Sequence, residues 1–259
     1  MNEEFSALLQ SLKSHVEEND GEVVYWGDTI SQRDVVGVRA PAPAAAVKSA
    51  TTIMPRTDLS NAARLEKYRT ETVGDCHRCP LGETRHKLVF GVGNPDANVM
   101  FIGEGPGFDE DLKGEPFVGK AGQLLDKIMA SIGLNRTNSY IANVVKCHPM
   151  IDPARRDQRG NDRPPQPDEM DKCLPFLREQ IGIIKPKIIV TLGAVSTKAL
   201  LNRSQGISAL RGSIYAVSFP EAGEIKILPT FHPAALLRDE TLKRAVWEDM
   251  KRLRNELDV

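Results

Sequence analysis

The chain has little of what marks an unusual protein class. Aromatic residues make up only 5% of it, two of them tryptophan. No apolar run approaches the roughly 18 residues that a membrane-spanning helix requires, so a helical membrane protein is not expected. The N-terminus opens Met-Asn-Glu-Glu with no apolar segment behind it; a secretory signal is therefore not expected either, and the cytoplasm is the expected location. There is no internal repeat, which argues against solenoids and propellers. One-sided charge is missing too, because 34 Lys and Arg oppose 35 Asp and Glu for a net charge of −1. Proteins that hold nucleic acid by electrostatics alone are distinctly basic. Any DNA contact made here must be small and local, with shape and a pocket contributing much of the recognition. Cysteine is scarce as well, at four residues, and in a reducing compartment these are better read as metal ligands than as disulfides.

What is present is the composition of an ordinary globular protein, 41% hydrophobic and 27% charged over 259 residues. That length holds one sizeable core plus an appendage. Residues 4–18 place Phe5, Leu8, Leu9, Leu12 and Val16 at helical spacing. An Ala/Pro-rich stretch follows that suits a linker. The expected organisation is a mobile region over 1–60 and one compact domain over 61–259. Basic residues gather at Arg155, Arg156, Arg159 and Arg163, and again at Lys243, Arg244, Lys251, Arg252 and Arg254. Acidic neighbours dilute both groups, which read mainly as solvated faces and loops.

From residue 97 apolar strands alternate with helical patterns. ANVMFIGE, SYIANVVKC, KPKIIVTLG and GEIKILPTFHP read as strands; AGQLLDKIMASIGL, residues 167–182, AVSTKALL and ETLKRAVWEDMKRLRNEL read as helices. This order predicts an α/β fold, a three-layer α/β/α sandwich around a central, mainly parallel four-stranded sheet. Ligands of such sheets bind in loops at the carboxyl ends of the strands. Three unusual segments, GEGPG, NVVKCHP and FHPAALLR, fall in such loops.

Cys76 and Cys79 form a C-x-x-C pair, while Cys147 and Cys173 are single and distant. Four thiolates suit a structural zinc or a [4Fe–4S] cluster. Zinc ribbons commonly use two close pairs and only one occurs here. Iron–sulfur is favoured on that ground, but spacing leaves both metals open.

The segments GDCHRCPLGETRHKLVFGVGNPDANVMFIGEGPG, GEPFVGKAGQLLDKI, NVVKCHP, KPKIIVTLGAVS and FHPAALLR, in that order, resemble the family 4, iron–sulfur uracil-DNA glycosylases. The resemblance covers about residues 70–257. It implies an enzyme of base excision repair that flips uracil out of single- or double-stranded DNA and hydrolyses its N-glycosidic bond, leaving an abasic site. It also implies a monomer carrying a [4Fe–4S] cluster on Cys76, Cys79, Cys147 and Cys173. One departure is the 25 residues between Cys147 and Cys173, longer than the family suggests, with IDPARRDQRGNDR as the surplus.

The same resemblance assigns roles. Gly103, Gly105 and Gly107 leave room for backbone to approach a ligand, and Glu104 and Gly105 fall at the base and sugar. Better-known uracil glycosylases carry a water-positioning Asp at the place of Gly105; its absence matches family 4 and leaves Glu104 as the candidate for positioning water. Phe117 corresponds to the aromatic that stacks on uracil, although in isolation it reads as core. Asn143 can donate and accept toward the uracil edge, where cytosine presents the reversed pattern; in isolation it reads as a turn cap. His232 is aimed at a uracil carbonyl, in an oxyanion-hole role. The loop after it places Leu236 or Leu237 as a minor-groove wedge and Arg238 near phosphate. Two other readings stand beside this one. A non-catalytic DNA-binding or polymerase-associated module would show decayed pocket motifs, and none is seen. A glycosylase for another deaminated base differs only in pocket shape. A covalent DNA-trapping variant is disfavoured, since no Arg-rich insert immediately precedes the His-Pro motif.

Overall fold

The computed structural model describes residues 59–220 and 222–257. The expected helix over 4–18 and the linker behind it lie outside the described residues. Six strands form one sheet: β1 (Val92–Gly93), β2 (Val99–Gly103), β3 (Tyr140–Asn143), β4 (Ile188–Leu192), β5 (Tyr215–Phe219) and β6 (Gly223–Thr230). Their order is β1-β3-β2-β4-β6-β5. The four expected strands are the central, parallel ones, β3-β2-β4-β6. The sheet is larger than expected by two edge strands, both antiparallel to their neighbours. Neither carries a strong signal. β1 is two residues long, and β5 (YAVSF) is half-exposed along most of its length, as an edge facing water on one side must be.

The central strands β2 and β4 are buried at every position, because helices cover both faces. Met100 and Ile102 of β2 point into one hydrophobic cluster with Phe176, Leu177 and Ile181. Val99 and Phe101 point into another with Leu125, Met129, Val246 and Met250. The first cluster is closed by α1 (Asn61–Lys67, continued by a π-helical turn over Tyr68–Val73) and α5 (Pro167–Ile184); the second by α4 (Lys120–Ala130) and α9 (Leu242–Glu256). This alternation on consecutive strand residues is what makes three layers. The remaining helices, α2 (Leu81–Thr84), α3 (Phe108–Lys113), α6 (Ala194–Leu201), α7 (Ile207–Leu210) and α8 (Pro233–Arg238), are short.

Local sequence explains the helix starts. Ser60 caps α1 by accepting from the Ala63 N–H. In α5, Pro167 occupies the first turn and the Glu169 carboxylate accepts from the Gln166 N–H at 2.7 Å. The chain leaves β2 toward β3 on one side and leaves β4 toward β6 on the other. The crevice between β2 and β4 is therefore a topological switch point, where open α/β sheets bind ligands. Among the described residues no helix is long and apolar enough to cross a membrane.

Candidate active site

A cavity of about 610 Å³ opens at this switch point. Its walls include Glu104 and Gly105 after β2, Asn143 at the end of β3, Gly193 after β4, and Phe231 and His232 after β6. Phe117, Ala234, Ala235 and Arg238 also line it, and Pro149, Asp162 and Arg163 form a further wall. Gly193, Phe231 and this further wall were not anticipated. Parallel strands bring these residues together because their carboxyl ends all lie on one edge of the sheet.

Gly103 sits against the two residues expected to read a base. A Cβ at this position would lie 2.5 Å from Asn143 Oδ1 and 2.5 Å from Phe117 Cζ, closer than real contacts allow. At Gly105 a Cβ would lie 2.7 Å from Val145 Cγ2. A carboxylate side chain at 105 therefore requires this wall to move, which gives the missing Asp a steric reason.

Asn143 is fully buried, and its Oδ1 has no hydrogen-bond partner. Leaving a buried acceptor unpaired costs about 1–3 kcal/mol, and Asn143 lines the cavity wall. Phe117 is buried, with its ring 5.5 Å from the His232 ring at an interplanar angle of 32°. Its backbone has φ +56°, a costly conformation for a bulky residue. Two side chains hold it there. Glu110 accepts from the N–H of Val118 at 2.8 Å, of Gly119 at 3.0 Å and of Gly107 at 3.2 Å. Arg136 donates to the carbonyls of Pro116 and Phe117 and pairs with Asp126 at 2.9 Å. Neither residue was anticipated, since a Glu in a first helical turn and an Arg in a loop give no distinguishing signal.

His232 caps α8, its Nδ1 accepting from the Ala234 N–H at 3.1 Å. With Nδ1 as acceptor, the proton of the neutral ring sits on Nε2. Burial, with the Arg238 charge second, pushes its pKa down to about 4. The imidazole is neutral at physiological pH and offers an N–H donor. Burial also raises the Glu104 carboxyl above its ordinary range.

The segment after His232 was expected as a loop and is a helical turn. It separates the two leucines. Leu236 is 1% exposed and belongs to the core with Leu125 and Val246, while Leu237 is 51% exposed. Leu236 is thus packed in the core and Leu237 is the exposed one of the two, because a helix of this pitch turns consecutive side chains about 100° apart.

The four cysteines line one small cavity, together with Lys146, Arg78, Lys172, Leu88 and Phe176. Among the described residues no three His, Cys, Asp or Glu side chains form a group that could hold a metal ion. Cys147 and Cys173 are buried; burial pushes the Cys147 thiol up to about 12 and raises Cys173 as well. Two buried cations face them. The Arg85 guanidinium lies 3.6 Å from Cys147 Sγ. The Lys146 ammonium is fully buried without a carboxylate partner, bonding only to Asn143 O at 2.8 Å and Gln180 Oε1 at 2.6 Å. Its backbone N–H donates to Cys173 Sγ at 3.3 Å. A lysine inside the apolar run NVVKC was the available sequence signal.

Residues 90–251 match the family model described as uracil DNA glycosylase superfamily. The type-4 uracil-DNA glycosylase of Sulfurisphaera tokodaii is 43% identical over 195 residues, covering 73% of this chain and 83% of that protein. Those of Archaeoglobus fulgidus and Thermotoga maritima are each 40% identical, covering 69% and 72% of this chain and 86% and 91% of those proteins. Identity at this level, over nearly the whole of each relative, shows that the chain belongs to the uracil DNA glycosylase superfamily and, within it, to the type-4 uracil-DNA glycosylases.

Proposed function

We propose that this chain acts as a monomer on uracil in single- or double-stranded DNA, hydrolysing the N-glycosidic bond to leave an abasic site. The observation that carries this reading is the unpartnered, buried Oδ1 of Asn143 on a cavity wall shared with Phe117 and the His232 donor. A flipped uracil brings an imide N–H that satisfies Oδ1, whereas cytosine brings a ring acceptor that leaves it unpaired. Phe117 stacks on the base, a contact worth about 1–3 kcal/mol for any base.

In the reaction, the bond from the sugar C1′ to uracil N1 breaks and the electron pair leaves with the base. His232 Nε2–H donates to a uracil carbonyl, where the negative charge gathers. Glu104 orients water toward C1′, which takes the hydroxyl while the proton of the water balances the departing uracil anion. Arg238, exposed at the cavity edge, meets a phosphate, and Leu237 fills the space the base leaves. All of these groups come from one chain.

Four cysteines lining one cavity suit a metal–thiolate centre. The buried Lys146 ammonium, which has no carboxylate partner, is a positive charge that an anionic occupant would balance. Arg85, already paired with Asp75, also reaches Cys147 Sγ. Cys76, Cys79, Cys147 and Cys173 would hold a [4Fe–4S] cluster, which ties the 76–79 loop to the core. Hydrolysis transfers no electrons, so its contribution is structural.

The test uses matched duplexes carrying one uracil opposite guanine or adenine, with undamaged and hypoxanthine-containing controls. Alkali-revealed scission only at uracil, lost in Asn143→Ala, supports the enzyme. No scission by protein that retains its metal leaves the non-catalytic module in its place.

A further inference from the structure

The surplus between Cys147 and Cys173 is not a loose loop. Met150 and Asp162 form an antiparallel bridge, and the Ile151 N–H donates to Asn161 O at 2.9 Å. The buried Asn161 side chain ties the interior, accepting from the Asp152 N–H and donating to Asp152 O and Arg155 O. Arg163 closes the base by donating to Met150 O at 2.8 Å. Pro149, Asp162 and Arg163 of this hairpin also line the active-site cavity.

Its charges sort into two groups. Asp157 meets His86 at 2.8 Å, Asp162 meets His148 at 2.6 Å, and Asp152 caps the Ala154 N–H at 3.0 Å. Arg159 pairs with Asp109 at 2.6 Å and Arg163 with Glu169 at 2.7 Å. Every carboxylate of the hairpin is therefore engaged within the protein. Arg155, whose guanidinium reaches only the neutral Gln158, and Arg156 have no ion pair among the described residues, and both are exposed. Beside them Ile151 is 67% exposed. Ile151 and Leu237 are the two most exposed large apolar side chains among the described residues, and each adjoins a segment of the cavity wall.

We infer that the hairpin over residues 149–163 is a second DNA-gripping element, in which Arg155 and Arg156 neutralise backbone phosphates and Ile151 packs against the duplex opened by base flipping. The inference rests on the uracil-DNA reading above. Its chemistry is the one that DNA demands: two exposed guanidiniums without an ion pair among the described residues, an exposed apolar side chain on the same hairpin, and a frame whose hydrogen bonds are already made. A pre-ordered hairpin loses little entropy on binding, so its contacts appear directly in affinity.

The test measures binding of the full chain to a duplex carrying a stable abasic-site analogue, across a salt series. Each neutralised phosphate contributes about 0.9 to the slope of log K against log salt. Arg155→Ala with Arg156→Ala should weaken binding by roughly tenfold or more at low salt and lower that slope by about 2. Ile151→Ser should weaken binding several-fold with the slope unchanged. Trp247→Ser, altering an exposed apolar residue outside the cavity wall, should do neither. Affinities within twofold of the parent, with an unaltered slope, would overturn the inference. Uracil excision by the parent protein is scored on a matched duplex that carries one uracil in place of the analogue. Excision with unaltered variants sinks the hairpin alone. Binding without excision, with the slope reduced, sinks the glycosylase reading and keeps the hairpin. Failure of the parent both to bind and to excise sinks both.

Discussion

Glu110 accepts the Val118 N–H at 2.8 Å and thereby fixes the chain immediately after Phe117. From the other side Arg136 holds the carbonyls of Pro116 and Phe117. Between these two anchors Phe117 keeps a left-handed backbone that a Phe would not adopt freely. The strain is therefore maintained by one carboxylate, Glu110, which also lines the cavity, and one guanidinium, Arg136.

Replacing Glu110 with Gln removes the charge from these hydrogen bonds. Bonds to charged groups contribute about 1.5–3 kcal/mol each, so kcat/KM for uracil excision should fall roughly tenfold to a hundredfold. Inhibition by free uracil should weaken in parallel. The discriminating measurement is the double variant with Phe117→Leu. If Glu110 acts through the ring, its substitution adds little once the ring is gone; full additivity would assign Glu110 a purely structural role.

Titration of His232 by NMR should show a neutral ring protonated on Nε2 from neutral pH down to about pH 5, with protonation centred near pH 4. The sign follows from linkage. A His whose folded pKa lies below its unfolded value near 6.5 contributes stability that is complete above pH 6.5 and is lost as pH falls toward 4. Observation of the imidazolium at pH 6.5 would refute the neutral-donor role.

The two leucines of α8 should part company in experiment. Leu236→Ala opens a core position and should cost about 2–5 kcal/mol of stability, read as a lowered denaturation midpoint. Leu237→Ala, altering an exposed side chain, should leave the midpoint within about 0.5 kcal/mol while slowing uracil excision from duplex more than from single strands. Equal losses on both substrates would remove the wedge role.

Purified protein should contain iron and inorganic sulfide in equal amounts, and Cys147→Ser should lose both. Lys146→Met should also lower the iron content, because it removes the buried positive charge beside the thiolates. Zinc in place of iron would overturn the cluster. Full iron occupancy in Lys146→Met would show that the ammonium is there for Asn143 O and Gln180 alone.

Much of this was legible in the order of residues. The continuous apolar runs VMFIG and IIVTL announce strands buried on both faces, and they are. The parallel order of the four central strands follows from the helices between them. It carries Glu104, Asn143 and His232 to one edge, so their convergence was already implied. The edge strands β1 and β5 were not legible, because short half-exposed pairs take their stability from a neighbour rather than from their own pattern. The choice between Leu236 and Leu237 was equally closed to sequence, since it depends on the phase of a single helical turn against α4 and α9. Glu110 and Arg136 bear ordinary polar side chains in ordinary stretches of chain, and Lys146 is set apart only by the apolar run around it. What they do was decided by tertiary packing, which buries Lys146 without a carboxylate and brings the charges of Glu110 and Arg136 to either side of Phe117.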